Sequence, residues 1–284
     1  MIKKLILKLY PILDKIFLKV DKSQIRRTKN IRLIPGANHR KGGKVSYAEW
    51  AHVIGVFQTV IYQTIEQKAG NNILDIGCGT GLLGIASEPF TYQNGSYTGI
   101  DVMKHDIKFC LKNYNASNYK FIHFDVANPT YAANQDKEFK AWPIENESKD
   151  LVTALSVWTH LCEEDAKFYF NEIARVLKKN GKAIITFFYL DERYEDSLAI
   201  RKDEKGRFHS TNQMKWIYDT KAYKSKDWFT TSWSNNPEEA IAINKNGIEI
   251  LTRESGLNLI KYYPGNWKEQ AGTYFQDILV FEKK

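Results

Sequence analysis

Three glycines at alternate positions in Asp75-Ile76-Gly77-Cys78-Gly79-Thr80-Gly81 follow the apolar pair Ile73-Leu74 and precede Leu82-Leu83-Gly84. Side chains at such a turn would hold a ligand away from the main chain, whereas glycine leaves backbone N–H groups open to it. Asp101 closes a second apolar run and Asp125 a third. A glycine turn between strand and helix lies at the carboxyl edge of an open α/β sheet, where such folds bind nucleotide-like ligands. Two ligand classes compete for it. Gly79-Thr80-Gly81-Leu82-Leu83-Gly84 fits the G-x-G-x-x-G of dinucleotide enzymes, with Asp101 about 20 residues on to take a ribose, which would make a nicotinamide-dependent oxidoreductase. Asp75, two residues before Gly77, favours the other. A carboxylate there would repel a pyrophosphate and attract the ammonium of an amino-acid moiety beside a sulfonium.

The frame that must hold these residues is legible in the hydrophobic spacing. Ser46 and Glu49 form a capping box, and Trp50, Ile54, Phe57, Ile61 and Ile65 then line one face of a helix running toward Gly70. Strands are expected at Asn72–Ile76, Ser96–Ile100, Lys120–Phe124, Asp150–Leu155 and Ala183–Phe188. Helices are expected at 82–87, 104–113 and 163–179, the last stopped by Asn180-Gly181. This alternation predicts a parallel sheet covered on both faces, a doubly wound α/β fold. The rhythm breaks over Asp191–Asn235, which carries eight aromatic residues without a clear period. It resumes with a helix expected over Pro237–Ser255 and strands at Leu257–Tyr262 and Asp277–Phe281.

On these motifs the sequence resembles the class I S-adenosylmethionine-dependent methyltransferases. Leu74 to Gly81 stands as their first motif. Tyr97-Thr98-Gly99-Ile100-Asp101 looks like the second-strand motif, whose acid holds the ribose hydroxyls, and Phe124-Asp125-Val126 is similar to the third, whose acid receives the adenine amino group. Asp150 to Ala154, followed by Leu155-Ser156-Val157-Trp158, occupies the fourth-strand position. The resemblance covers residues 45–190 and 257–283. It implies a Rossmann-like sheet of about seven strands with the last antiparallel, S-adenosyl-L-methionine as cofactor, and a cofactor site at Asp75, Gly77, Cys78, Gly79, Gly81, Asp101, Val102, Asp125, Val126 and Ser156.

The acceptor is less sharply marked. Asn128-Pro129-Thr130-Tyr131 imitates a motif of enzymes that methylate base amino groups, but it follows the third strand and not the fourth, where that motif belongs. Ser156-Val157-Trp158-Thr159-His160-Leu161 is similar to a Ser-Val-Phe-Thr-His-Leu signature of bacterial methyltransferases of sugar and other small-molecule chemistry. Gly265-Asn266-Trp267 followed by Gln276 to Val280 also resembles that group. The similarity implies a small-molecule or glycan-like acceptor, methylated at oxygen, with Trp158 and Trp267 as acceptor-side residues. His160 is the candidate general base, since imidazole titrates near 6.5. Asp191 and Glu192, just past the fifth strand, are its rivals. No metal is expected, because no His/Asp/Glu cluster has ligand spacing. The aromatic segment 191–235 is expected as a lid or acceptor-binding subdomain of a domain spanning 46–284.

Charge settles which partners are improbable. The formal charge is +8, yet the first 40 residues hold eleven basic side chains against Asp14 and Asp21, so the remainder carries about −1. The body lacks the cationic surface of a nucleic-acid enzyme, and no nucleic acid partner is expected. Residues 1–45 form a basic arm. Ile2, Leu5, Ile6, Leu9, Leu13, Ile16, Phe17 and Val20 recur at helical spacing, a pattern open both to packing on the domain and to peripheral contact with an anionic membrane through residues 1–32. No run of about 18 apolar residues spans a bilayer. Three unpaired-looking cysteines fit a reducing compartment. The expected location is cytoplasmic, including the inner face of the membrane. A binding protein that kept the cofactor pocket without turnover, and a nucleic-acid methyltransferase, stand as the remaining alternatives.

Overall fold

A computed structural model describes residues 33–42, 46–125 and 139–284, with Leu9, Pro11, Ile12 and Ile16 of the N-terminal segment. The expectations for the basic arm as a unit, for Val126 and for Asn128-Pro129-Thr130-Tyr131 lie outside the described residues.

Seven strands form the main sheet: β1 (Asn72–Ile76), β2 (Ser96–Asp101), β3 (Tyr119–His123), β4 (Lys149–Ala154), β5 (Leu177–Phe187), β10 (Leu257–Tyr263) and β11 (Asp277–Lys283). Their order is β3-β2-β1-β4-β5-β11-β10. All run parallel except β11, which pairs antiparallel with both β5 and β10. Strand order reverses between β1 and β4, placing the glycine turn at a topological switch point, where open sheets of this kind bind ligands.

The two-residue period of each strand feeds two cores. Ile73, Leu151, Ile184, Ile278 and Val280 face α1 (Tyr47–Thr64), α2 (Leu82–Ser87) and α3 (Lys104–Asn113). Leu74, Val152, Ile185, Leu279 and Phe281 face the opposite way, toward α4 (Glu163–Val176) and α6 (Lys245–Ser255). The capping box on α1 is present, with the Glu49 N–H donating to Ser46 Oγ and the Ser46 N–H to Glu49 Oε2. That helix stops at Thr64, short of Gly70.

Two elements depart from the spacing. The helix expected to reach Lys179 ends at Val176, because Leu177 pairs with Lys149 and opens β5 early. Asn180 then lies inside the strand at φ 61, where the ladder with β4 shifts register. The helix expected over Pro237–Ser255 begins only at Lys245, capped by Asn244. Before it, Ile241–Asn244 form β9, whose buried Ile241, Ala242 and Ile243 fill the middle of a second sheet. That sheet has the order β6-β9-β8-β7, with β6 (Tyr189–Leu190), β7 (Thr220–Lys221) and β8 (Trp228–Thr230). With α5 (Glu192–Leu198) it builds the aromatic segment around a small core of Phe188, Tyr194, Trp216, Tyr218 and Trp267. Among the described residues no helix is long and apolar enough to cross a membrane.

Candidate functional site

The turn after β1 has the backbone its composition demands. Gly77, Gly79 and Gly81 all take positive φ, at 66, 51 and 90°. The N–H groups of Gly77 and Cys78 both donate to the Ile100 carbonyl at the end of β2, at 2.9 and 3.1 Å. Space decides two of the glycines as well. A Cβ on Gly77 would sit 2.5 Å from Val157 Cγ2, and one on Gly81 would collide with the Tyr114 hydroxyl. At Gly79 only Lys41 Cγ comes within 4.0 Å, so this turn residue is open on the side a ligand would approach.

Asp101 ties the turn to β2. Its Oδ2 accepts the Gly79 N–H and its Oδ1 the Met103 N–H, both at 2.7 Å. Burial pushes its carboxyl above the usual range, and those two N–H donors pull it back. Each oxygen keeps acceptor capacity for a further donor such as a ribose hydroxyl. The glycine opening and this acid therefore fit a nucleoside cofactor. Val102 follows, its carbonyl accepting from His123 Nε2 at 3.1 Å, and Asp125 is exposed just past β3.

Asp75 has a different station. Only 1% exposed, it accepts the Tyr97 hydroxyl at 2.5 Å and the Thr153 hydroxyl at 2.9 Å, from the strands on either side. Burial raises its carboxyl from 3.8 to about 7, more than those two hydroxyls lower it. It lies beneath the turn and braces three strands. Sequence reasoning named Asp75 without these partners. Their signal was the period of β2 and β4, since Thr153 stands in register with Asp75 and Tyr97 shares the strand face of Gly99, which pairs with it. Cys78, Cys110 and Cys162 are all buried and form no disulfide with one another.

At the carboxyl end of β4, Ser156 adopts φ 61. Its N–H donates to Thr186 Oγ1 at 2.7 Å, that hydroxyl donates to Gln276 Oε1 at 2.7 Å, and Gln276 Nε2 returns to Ser156 Oγ at 2.9 Å. This closed ring holds a left-handed serine against a backbone cost of about 1–3 kcal/mol. Four residues on, His160 ends a single 3₁₀ turn, with Nδ1–H donating to the Glu238 carbonyl at 2.6 Å. Burial lowers its pKa, partly offset by that bond. An imidazole whose Nδ1 donates carries its lone pair on Nε2.

Trp158 is 2% exposed and packs edge-on against Phe170 in the main core. Trp267 is fully buried and donates its Nε1–H to Asp277 Oδ2 at 2.8 Å. Neither indole lines an open cleft, so the acceptor-side expectation for both gives way to packing. Asp191 caps α5 and is held by Lys268 at 2.8 Å and the Tyr262 hydroxyl at 2.7 Å. Burial pushes that carboxyl up, but Lys268 and its hydrogen bonds hold it below the usual range, which makes it a poor base. Glu192 is exposed in the first turn of α5.

Comparison with known proteins agrees with this geometry. A family model described as a methyltransferase domain matches residues 67–255. An O-methyltransferase of Pyrenophora dematioidea is 30% identical over 140 residues, 49% of this chain and 48% of that protein. A fatty-acid O-methyltransferase of Mycolicibacterium smegmatis is 29% identical over 124 residues, 44% of this chain and 38% of that protein. The chain thus matches half or less of the length of these curated relatives. A solved structure from Pyrococcus horikoshii superposes with TM-score 0.51 at 18% identity, covering 83% of this chain and 92% of that one, which shows the shared fold. The chain belongs to the methyltransferase-domain family, the S-adenosylmethionine-dependent methyltransferases.

Proposed function

We propose that this family member transfers a methyl group from S-adenosyl-L-methionine to an oxygen of a small-molecule or glycan-like acceptor, without a metal. The observation that carries the reading is the Gly79 opening clamped by Asp101, at the switch point of the sheet. The names of the two curated relatives support oxygen as the acceptor atom. When bound, the cofactor supplies a methyl group already activated by its positive sulfur, so the protein's work is to align the acceptor and remove a proton.

Gly77, Gly79 and Gly81 give the cofactor its cradle, Asp101 takes the ribose hydroxyls, and Asp125 faces the adenine end. Asp75 acts from below, keeping β1, β2 and β4 in register under the turn. Ser156, fixed by Thr186 and Gln276, shapes the wall between cofactor and acceptor. His160 is the proposed base: its Nδ1–H is anchored on Glu238, its depressed pKa keeps it neutral near pH 7, and Nε2 is the nitrogen that would receive the acceptor proton. The aromatic segment 191–235, which leads into the turn that carries Glu238, forms the acceptor side. The N-terminal arm brings the protein to an anionic membrane surface in this reading, and cytoplasmic placement goes with it.

Calorimetric titration with S-adenosylhomocysteine, with NAD in parallel, tests the core of this reading. Saturable binding of the first alone is the expected result, and binding of NAD alone would overturn it. A subsequent screen of hydroxylated small molecules, read as methyl incorporation, tests the acceptor class.

A further inference from the structure

Segment 33–42 crosses the glycine turn, and nothing in the nucleotide-binding motifs predicts it. Ile34 is buried in the core beside α1. Arg40 is buried too, donating from Nε to the Pro35 carbonyl at 3.0 Å and lying over the Tyr47 ring. The Thr80 hydroxyl, within the turn itself, donates to the His39 carbonyl at 2.7 Å, and the His39 ring stacks on Phe109 of α3 at 4.5 Å. The segment is therefore fastened to α1, to α3 and to the turn. Its next residue, Lys41, is the one whose side chain passes over Gly79.

The Lys41 ammonium reaches the first turn of α3. Nζ donates to His105 Nε2 at 3.1 Å and pairs with Asp106 Oδ1 at 3.4 Å. His105 Nε2 lies 3.0 Å from that same Asp106 oxygen. Lys41 is the lysine cation that pairs with Asp106. That matters because Asp106 Oδ1 is buried and makes no hydrogen bond, an arrangement proteins rarely leave without a use. Asp106 also adds its field to the neighbouring Asp101, so two acids share one corner next to Gly79.

We propose that Lys41 and Asp106 complete the nucleoside end of the cofactor site. Lys41 closes over the ligand on Gly79 while balancing Asp101 and Asp106, and Asp106 Oδ1 is the acceptor for a ligand hydroxyl. The chemistry recognised is a ribose with free vicinal hydroxyls, and the inference rests on the methyltransferase reading above.

The test uses the full chain and S-adenosylhomocysteine as probe. Lys41→Gln and Asp106→Asn should each raise the Kd tenfold or more, while Lys41→Arg stays within about threefold of wild type, with thermal melts confirming that each variant is folded. Independently of any variant, saturating S-adenosylhomocysteine should slow tryptic cleavage of the wild-type protein after Lys41 severalfold, followed by mass spectrometry. Wild-type affinity in both Lys41→Gln and Asp106→Asn would overturn the proposal, as would cleavage after Lys41 that ignores the ligand. Absence of saturable binding in the wild type would instead remove the methyltransferase reading, and this proposal with it.

Discussion

The Asp75 carboxylate accepts the Tyr97 hydroxyl at 2.5 Å and lies beneath the glycine turn, not inside it. Its raised pKa has a consequence for stability. Between about pH 4 and 7 the folded protein holds a proton that the unfolded chain has released, so stability falls as pH rises through that window and levels off above it. A shift from 3.8 to about 7 corresponds to roughly 4 kcal/mol lost across the window, the order of a typical domain's margin. Asp75→Asn should remove most of that slope. Chemical denaturation from pH 4 to 8 without cofactor reads it, and identical slopes for the two proteins would show that Asp75 does not titrate as described.

Gly79 and Gly81 separate binding from folding. Both have positive φ, but only Gly81 lacks room, with the Tyr114 hydroxyl where a Cβ would go. Gly81→Ala should lower the melting temperature clearly, since backbone strain of about 1–2 kcal/mol adds to a clash with a buried ring. Gly79→Ala should cost only about 1 kcal/mol of stability yet weaken S-adenosylhomocysteine binding at least tenfold. Equal melting points for the two variants would contradict the geometry.

Asp101 should behave as a clamp as well as a ligand. Asp101→Asn keeps the shape but loses two charge-assisted bonds from Gly79 and Met103, each worth about 1.5–3 kcal/mol in favourable cases. Affinity for S-adenosylhomocysteine should fall by about 10- to 100-fold, with amide exchange at Gly79 accelerating in the absence of ligand. Unchanged exchange would leave Asp101 a ligand contact only.

How much of this was readable in the chain depends on distance along it. The glycine turn, Asp101 and the strand ends follow from local composition and a two-residue period. What could not be read are partners that meet only through register or topology: Tyr97 and Thr153 on Asp75, Gln276 on Ser156 across 120 residues, and Lys41 over Gly79. The false extension of α4 has the same origin. Val176-Leu177 continues a helical stripe, and only the neighbouring β4 reveals that Leu177 already belongs to a strand. Trp158 and Trp267 show the converse. Aromatics near a site read as platforms until burial assigns them to the core.

His160 predicts a division between binding and turnover. His160→Gln should bind S-adenosylhomocysteine as wild type does and lose about 100-fold or more in kcat, the range expected for a general base. Burial lowers the histidine's pKa from 6.5, so wild-type activity should stay level as pH falls to 6.5 and drop only as the ring protonates under that value. A pH profile breaking at or above 6.5, or full kcat in the variant, would take His160 out of the mechanism.

Lys268 ties Asp191 to Asp277. Its fully buried ammonium lies 2.8 Å from Asp191 and 2.9 Å from Asp277, and donates to the Tyr262 hydroxyl at 2.8 Å. Asp277 meanwhile takes the Gly265 and Tyr189 N–H groups and the Trp267 indole. The cluster joins β10, β11 and the aromatic segment at one point. Lys268→Met would strand two carboxylates, one of them fully buried, a loss of about 3–5 kcal/mol. The melting temperature should drop by roughly 6–20 °C for a chain of this size. Asp191, whose pKa Lys268 holds down, contributes stability above its ordinary range that is lost as pH falls through its folded value. Lys268→Met should therefore also flatten the acid limb of the stability curve below about pH 4. A variant that melts within about 2 °C of wild type has lost under about 1 kcal/mol. That result would mean that the two aspartates protonate or hydrate at little cost and that the lysine is dispensable.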